Sequence, residues 1–167
     1  MARRFRGESV HKVDSKGRVS IPAPFRRVLE EGDPDWVSGG QPTLVLVYGI
    51  PGRRCLEGYS IKGIEAVDEL ISDLPRFSRE REVLERIINT QSIYAQVDEN
   101  GRMVLPTRLR ERIGVKSEAT FAGMGDKFQI WQPSAYEDDM SAIGDWLGDE
   151  GQEKDIFALL DPARLKS

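Results

Sequence analysis

Two stretches of this chain carry the same chemistry-bearing residues at the same spacing. Val13-Asp-Ser-Lys-Gly-Arg-Val-Ser-Ile-Pro-Ala-Pro-Phe-Arg26 recurs as Val97-Asp-Glu-Asn-Gly-Arg-Met-Val-Leu-Pro-Thr-Arg-Leu-Arg110. The shared positions are Val13/Val97, Asp14/Asp98, Gly17/Gly101, Arg18/Arg102, Pro22/Pro106 and Arg26/Arg110. Asp-x-x-Gly is a turn: the carboxylate folds onto nearby backbone N–H groups and glycine supplies φ > 0. Asp14, Gly17, Asp98 and Gly101 are therefore read as residues that brace a loop. The arginine after each glycine stands at the loop's tip. A guanidinium there can pair bidentately with a phosphate, or with O6 and N7 of guanine in the major groove. Lys12, Lys16, Arg18, Arg26 and Arg102 form the candidate DNA-binding set, with Arg27 nearby. A competing reading of one copy alone is an Asp14–Arg18 ion pair that merely holds the turn.

Other chemistry has less to stand on. Nucleophilic triads need histidine, and metal clusters commonly use histidine or cysteine. The chain has one of each, His11 and Cys55, far apart in sequence. It has neither a Gly-x4-Gly-Lys-Ser/Thr phosphate loop nor a strand-linked Gly-x-Gly-x-x-Gly. Glu137, Asp138 and Asp139 could hold Mg²⁺ on paper, but consecutive helical residues point in different directions. A solvated acidic face is the simpler reading. No catalytic residue, metal site, cofactor or small-molecule substrate is expected.

The elements that would position the loops follow from pattern. In each copy Val-Asp ends a strand and the residues after the turn start another, stopped by Pro22 or Pro106, since proline donates nothing to a ladder. Short helices follow, from Pro24 to about Glu30 and from Thr107 to about Ile113. Gly32 and Gly114 stand where left-handed caps belong. Each copy thus reads as a hairpin plus a helical turn. Thr43–Tyr48, Cys55–Tyr59, Ile93–Val97, Ala119–Ala122 and Phe128–Trp131 read as further strands, with Tyr59 and Trp131 as equivalent aromatic core positions. Ser60 opens a helix with Ile64, Val67, Leu70, Ile71 and Leu74 at 3- and 4-residue steps, ended by Pro75. Ser78 caps a second, with Val83, Leu84, Ile87 and Ile88 on one face. Ser134-Ala-Tyr-Glu137 is a capping box, and Tyr136, Met140, Ile143 and Leu147 form the stripe of its helix. The tail from Gly148 is acidic, with an apolar patch at Ile156–Leu160.

The two Asp-x-x-Gly-Arg-x-x-x-Pro copies, the opening Phe5-Arg6-Gly7 and the closing Gly123-Met-Gly-Asp-Lys-Phe-Gln-Ile-Trp131 together resemble the MraZ family. The resemblance spans about residues 5 to 140. It implies an α+β, mainly β fold of two tandem AbrB-type (SpoVT-AbrB) swapped-hairpin domains that form a pseudo-twofold barrel. The units would be 5–60, a helical connector at 61–91, a second domain at 92–136, and a C-terminal helix and acidic tail at 137–167. It also implies a DNA-binding transcriptional regulator that acts on short G-rich direct repeats in the promoter of the division and cell-wall gene cluster. Such proteins assemble as ring-shaped homo-oligomers. Asn100 stands where the first copy has Lys16, so the two loops need not be equivalent. A Mg²⁺-dependent carboxylate enzyme such as a nuclease, and a scaffolding ring without sequence-specific DNA binding, are the alternatives.

Charge and length set the remaining bounds. The 167 residues suit one ordinary domain or two small ones. The net charge of -4 argues mildly against a polyanion partner. Its distribution argues for one: residues 1–29 hold eight Lys/Arg against two acids, whereas residues 137–167 hold nine acids against three bases. Local field rather than net charge steers a polyanion, although a dipolar, inert surface gives the same count. No apolar run reaches 18 residues, no apolar stretch follows the leading arginines, and a single cysteine fits a reducing compartment. The expected place is the cytoplasm, with no membrane partner; the resemblance to the MraZ family adds association with the nucleoid.

Overall fold

The computed structural model describes residues 3–149 and 155–163. It is an α+β structure. Met1–Pro133 form one compact unit and Ser134–Ser167 a second. The first unit runs β1 (Glu8–Lys12), β2 (Arg18–Ser20), α1 (Ala23–Glu31), β3 (Thr43–Val47), β4 (Leu56–Ser60), α2 (Ile61–Ser72), α3 (Arg79–Thr90), β5 (Ser92–Gln96), β6 (Arg102–Val104), α4 (Thr107–Ile113), β7 (Glu118–Gly123) and β8 (Phe128–Trp131). The helix α5 (Pro133–Asp149) and a short 3₁₀ turn at Ile156–Leu160 follow.

Six strands form one antiparallel sheet in the order β1-β7-β8-β4-β3-β5. That order reads the same from either edge once the copies are exchanged. Val10 pairs with Thr120, which pairs with Trp131; Tyr94 pairs with Val45, which pairs with Tyr59. The leading strand of each copy thus pairs with a strand from the other half. β2 and β6, the strands after the two loops, pair with one another, with Val19 opposite Met103.

This pairing differs from the expected hairpin in each copy. The first loop closes through the Asp14 amide to the Arg18 carbonyl (3.1 Å) and an isolated bridge between Val13 and Val19. β2 then continues against β6. The reason is burial: Val19 and Met103 are almost fully inside, and pairing the two strands satisfies their ladder groups while both side chains enter one core. The pairing also does not close into a barrel. β1 and β5 are open edges of the large sheet. The β2–β6 ribbon covers the sheet through side-chain packing, because one cluster joins Val19, Ile21, Met103 and Leu105 to Leu44, Leu46, Phe121 and Phe128.

α1 contributes Phe25, Val28 and Leu29 to that core, and α4 contributes Leu109 and Ile113. Phe5, Phe25 and Phe128 meet with centroids 5.1–5.4 Å apart. The opposite sheet face has its own cluster, in which Val45, Val47 and Tyr59 receive Ile61, Ile64, Val67 and Ile88 from α2 and α3. Ser60 and Ser78 cap α2 and α3 through the Gly63 and Arg81 amides. α2 stops at Ser72, ahead of Pro75. Gly114 is a left-handed cap at φ 72, but Gly32 is not, with φ -87. Gly32 is glycine for space: a Cβ would lie 2.5 Å from Ser60 Cβ, where α1 meets the end of β4.

Glu57 is a buried charge on the sheet. It accepts hydrogen bonds from Lys127 Nζ (2.9 Å), Gln129 Nε2 (3.2 Å) and Tyr59 Oη (3.2 Å), and pairs with Arg53. Burial alone would raise its pKa; the Lys127 hydrogen bond and charge, with the charge of Arg53, outweigh burial and hold it below the ordinary glutamate value.

Candidate nucleic-acid interface

The two Asp-x-x-Gly turns have the same build. Asp14 Oδ1 accepts from the Lys16 amide (3.0 Å) and the Arg18 amide (2.9 Å). Asp98 Oδ1 accepts from the Asn100 amide (2.8 Å) and the Arg102 amide (2.9 Å). Gly17 and Gly101 take φ 83 and φ 76, which an L side chain rarely adopts. The Arg18 amide hydrogen bond, with those from the Arg18 side chain and the Lys16 amide, holds the Asp14 carboxyl below the usual aspartate range. The Arg102 amide does the same for Asp98, aided by the Asn100 amide and by the charges of Arg102 and Arg18.

Strand alternation then sets the outward face. With Val19 and Met103 inside, Arg18, Ser20, Arg102 and Val104 share the other side of the ribbon. Arg18 stands opposite Val104 and Arg102 opposite Ser20, so the two guanidinium groups lie diagonally across one two-stranded surface. Arg18 Nε donates to Asp14 Oδ2 at 2.6 Å, which orients the fork and leaves its two Nη groups for a partner. Arg102 Nε stands 3.8 Å from Asp98 Oδ2 and is buried without a hydrogen bond. The ion pair expected as the competing reading is therefore present in the first copy. It fixes the guanidinium through one nitrogen only.

An open depression of about 550 Å³ joins Lys12, Asp14, Arg18, Ser20, Arg102, Ser117 and Glu118. Lys12, Arg18 and Arg102 are thus brought together. Lys16 is exposed at the first loop's tip. Arg26 lies elsewhere: its guanidinium sits over Gly101, and its Nε is buried without a hydrogen bond. Glu118 was not singled out from sequence. It stands opposite Lys12 in the β1–β7 ladder, a pairing that only the fold reveals. His11, edge-on to Phe121 and hydrogen-bonded to Ser9 Oγ at 2.7 Å, takes no part in the depression. Among the described residues, no group of three or more His, Cys, Asp and Glu side chains is placed to hold a metal ion, and no helix is long and apolar enough to cross a membrane.

The fold and the site define an α+β protein whose two pseudo-equivalent halves each place an Asp-braced arginine on one shared ribbon. A family model described as "MraZ protein, putative antitoxin-like" matches residues 4–87 and 91–144. The chain belongs to the MraZ family. It is 54% identical to a protein of Ruegeria pomeroyi over 164 residues, 98% of either chain. It is 57% identical to one of Ruegeria sp. (strain TM1040) over 150 residues, 90% of either chain. A protein of Cereibacter sphaeroides is 44% identical over 172 aligned positions, which cover 99% of this chain and all of that one. All three carry the name "Transcriptional regulator MraZ".

Proposed function

We propose that this chain is a sequence-specific DNA-binding transcriptional regulator, and that Arg18, Arg102, Lys12 and Lys16 form its contact surface. The observation that carries the reading is the outward face of the β2–β6 ribbon, where Arg18 and Arg102 stand diagonally across the two strands beside Lys12. A two-stranded ribbon fits the major groove, and an arginine fork matches the guanine edge. In this reading Arg18 reads a base, while Lys12 and Lys16 meet phosphates. Arg26 acts on the second loop from behind rather than on DNA.

By family likeness the operator is a set of short G-rich direct repeats in the promoter of the division and cell-wall gene cluster, read at the nucleoid. The repeats at 5–60 and 92–136 are two SpoVT-AbrB units with exchanged hairpins that share one core. Residues 61–91 connect them and 137–167 make the C-terminal segment, whose acidic tail at 150–154 and 164–167 lies outside the described residues. The active form is a ring-shaped homo-oligomer. Two features support assembly: open edges at β1 and β5, and exposed apolar side chains at Leu70, Phe77, Val83, Leu84 and Tyr94.

The test is a gel shift on the duplex upstream of the protein's own gene, against a scrambled duplex, with Mg²⁺ and with EDTA. Retarded, uncleaved promoter DNA in both metal conditions is expected. Equal retention of the scrambled duplex, or EDTA-sensitive cleavage, would overturn the reading.

A further inference from the structure

The final arginine of each repeat reaches the loop of the other copy. Arg110, in α4, donates through Nε to the Leu105 carbonyl (2.9 Å) and through Nη2 to Thr107 Oγ1 (3.0 Å). That holds its guanidinium against Gly17: a Cβ there would lie 3.0 Å from Arg110 Nε and 3.1 Å from its Cζ. Arg26, in α1, lies against Gly101 in the same way, where a Cβ would stand 2.8 Å from its Cζ. Backbone bonds cross as well. The Leu105 amide donates to the Gly17 carbonyl (2.8 Å), and the Ile21 amide donates to the Gly101 carbonyl (2.9 Å). Each loop tip is therefore held by the strand end and the helix arginine of the other copy.

We infer that Arg110 is the positioning residue for the first loop and its Arg18, and that Arg26 is the positioning residue for the second loop and its Arg102. The two clamps are unequal. Thr107 gives Arg110 a hydroxyl acceptor, whereas the equivalent position of the first copy is Ala23, and Arg26 Nε has no hydrogen bond. The firmer clamp holds the loop that carries Lys16. A planar fork braced at two acceptors keeps its geometry in a way that a lysine cannot.

This inference rests on the proposed reading only where it concerns DNA, so the experiment has two arms. The first is amide hydrogen exchange of the free protein. Arg110→Met should raise exchange of the Lys16 and Arg18 amides about tenfold, the equivalent of one lost hydrogen bond, and leave the Asn100 and Arg102 amides unchanged. Arg26→Met should do the reverse and less. The second arm is promoter binding: Arg110→Met should weaken it, and adding Arg18→Ala should bring little further loss. Arg110→Lys keeps the charge and the stem, and gives the same pattern where the methionine variant does not fold. Exchange that rises in the loop of the same copy, or equally in both loops and in the core strands β3 and β7, would overturn the crossed assignment. If neither wild type nor variants bind the promoter while the exchange pattern is crossed, the positioning holds and the DNA reading fails.

Discussion

Arg18 and Arg102 share a ribbon but not a local field. Arg18 is held by Asp14 through a short Nε contact, and Lys16 adds a second cation at its loop tip. Arg102 is farther from Asp98, and its loop carries Glu99 and Asn100. Arg18→Ala should therefore lose about 1–3 kcal/mol of promoter binding if the contact is a bidentate base contact, and Arg102→Ala less. Titrations at one salt concentration check this; equal losses would refute the ranking. The aspartates set a pH dependence. Both carboxyls are lowered in the folded state by hydrogen bonds from the loop amides. A group with a depressed folded pKa stabilises the folded state above its unfolded value, and that contribution disappears as pH falls through the folded value. The aspartates' contribution to loop order should thus be fully present above the ordinary aspartate value, about pH 4, and fade only as pH falls through the lower folded value. Amide chemical shifts of Lys16, Arg18, Asn100 and Arg102 should follow carboxyl titrations whose midpoints lie below the ordinary aspartate value.

Elements whose partners are local were legible in the sequence, and those with distant partners were not. Ser60 and Ser78 cap α2 and α3 as the spacing indicates, because a cap and its target amide are three residues apart. The Asp-x-x-Gly turns were readable for the same reason. The pairing of β2 with β6 was not, since alternation gives the face of a strand and not its neighbour. Gly32 stands at a helix end where a left-handed cap is expected, but its constraint comes from Ser60, across the fold. Charge in sequence places Arg26 among the surface cations and does not reveal that its guanidinium lies over Gly101. In the sequence Glu57 is one acid among 28 acidic residues, and only the sheet buries it beside Lys127. Lys127→Met should destabilise the fold by less than the roughly 3–5 kcal/mol of an outright broken buried pair, since Arg53 and Gln129 remain. Glu57→Gln should cost less still, because it removes the charge that needs a partner. The Glu57 carboxyl is depressed, so its contribution is present above the ordinary glutamate value, about 4.3, and lost as pH falls through the folded value. Urea unfolding of the two variants at pH 7 tests the order.

At the scale of the whole molecule, a net charge of -4 has to be reconciled with a polyanion partner. One subunit offers few cations on the ribbon side, and Glu118 lies among them. A single subunit would make few phosphate contacts and bind weakly. In the proposed ring the Lys12–Lys16–Arg18 surface recurs at regular intervals, and linked weak sites gain avidity through effective concentration when geometry lets them engage together. Light scattering at micromolar concentration should therefore show an assembly larger than a dimer, and a stable monomer would remove the basis for avidity. Successive ribbons meet one face of a duplex only if the repeats are spaced close to a helical turn, about 10 bp. Deleting one repeat should collapse binding, and so should a half-turn insertion of about 5 bp, because both prevent simultaneous engagement. Salt should weaken binding steeply, since several subunits together release many counterions. A spacing series on fixed repeats, titrated with intact protein, separates the two mechanisms. Loss at half-turn spacing and recovery at a full turn means joint engagement by the assembly. Indifference to the insertion means that each subunit reads DNA alone.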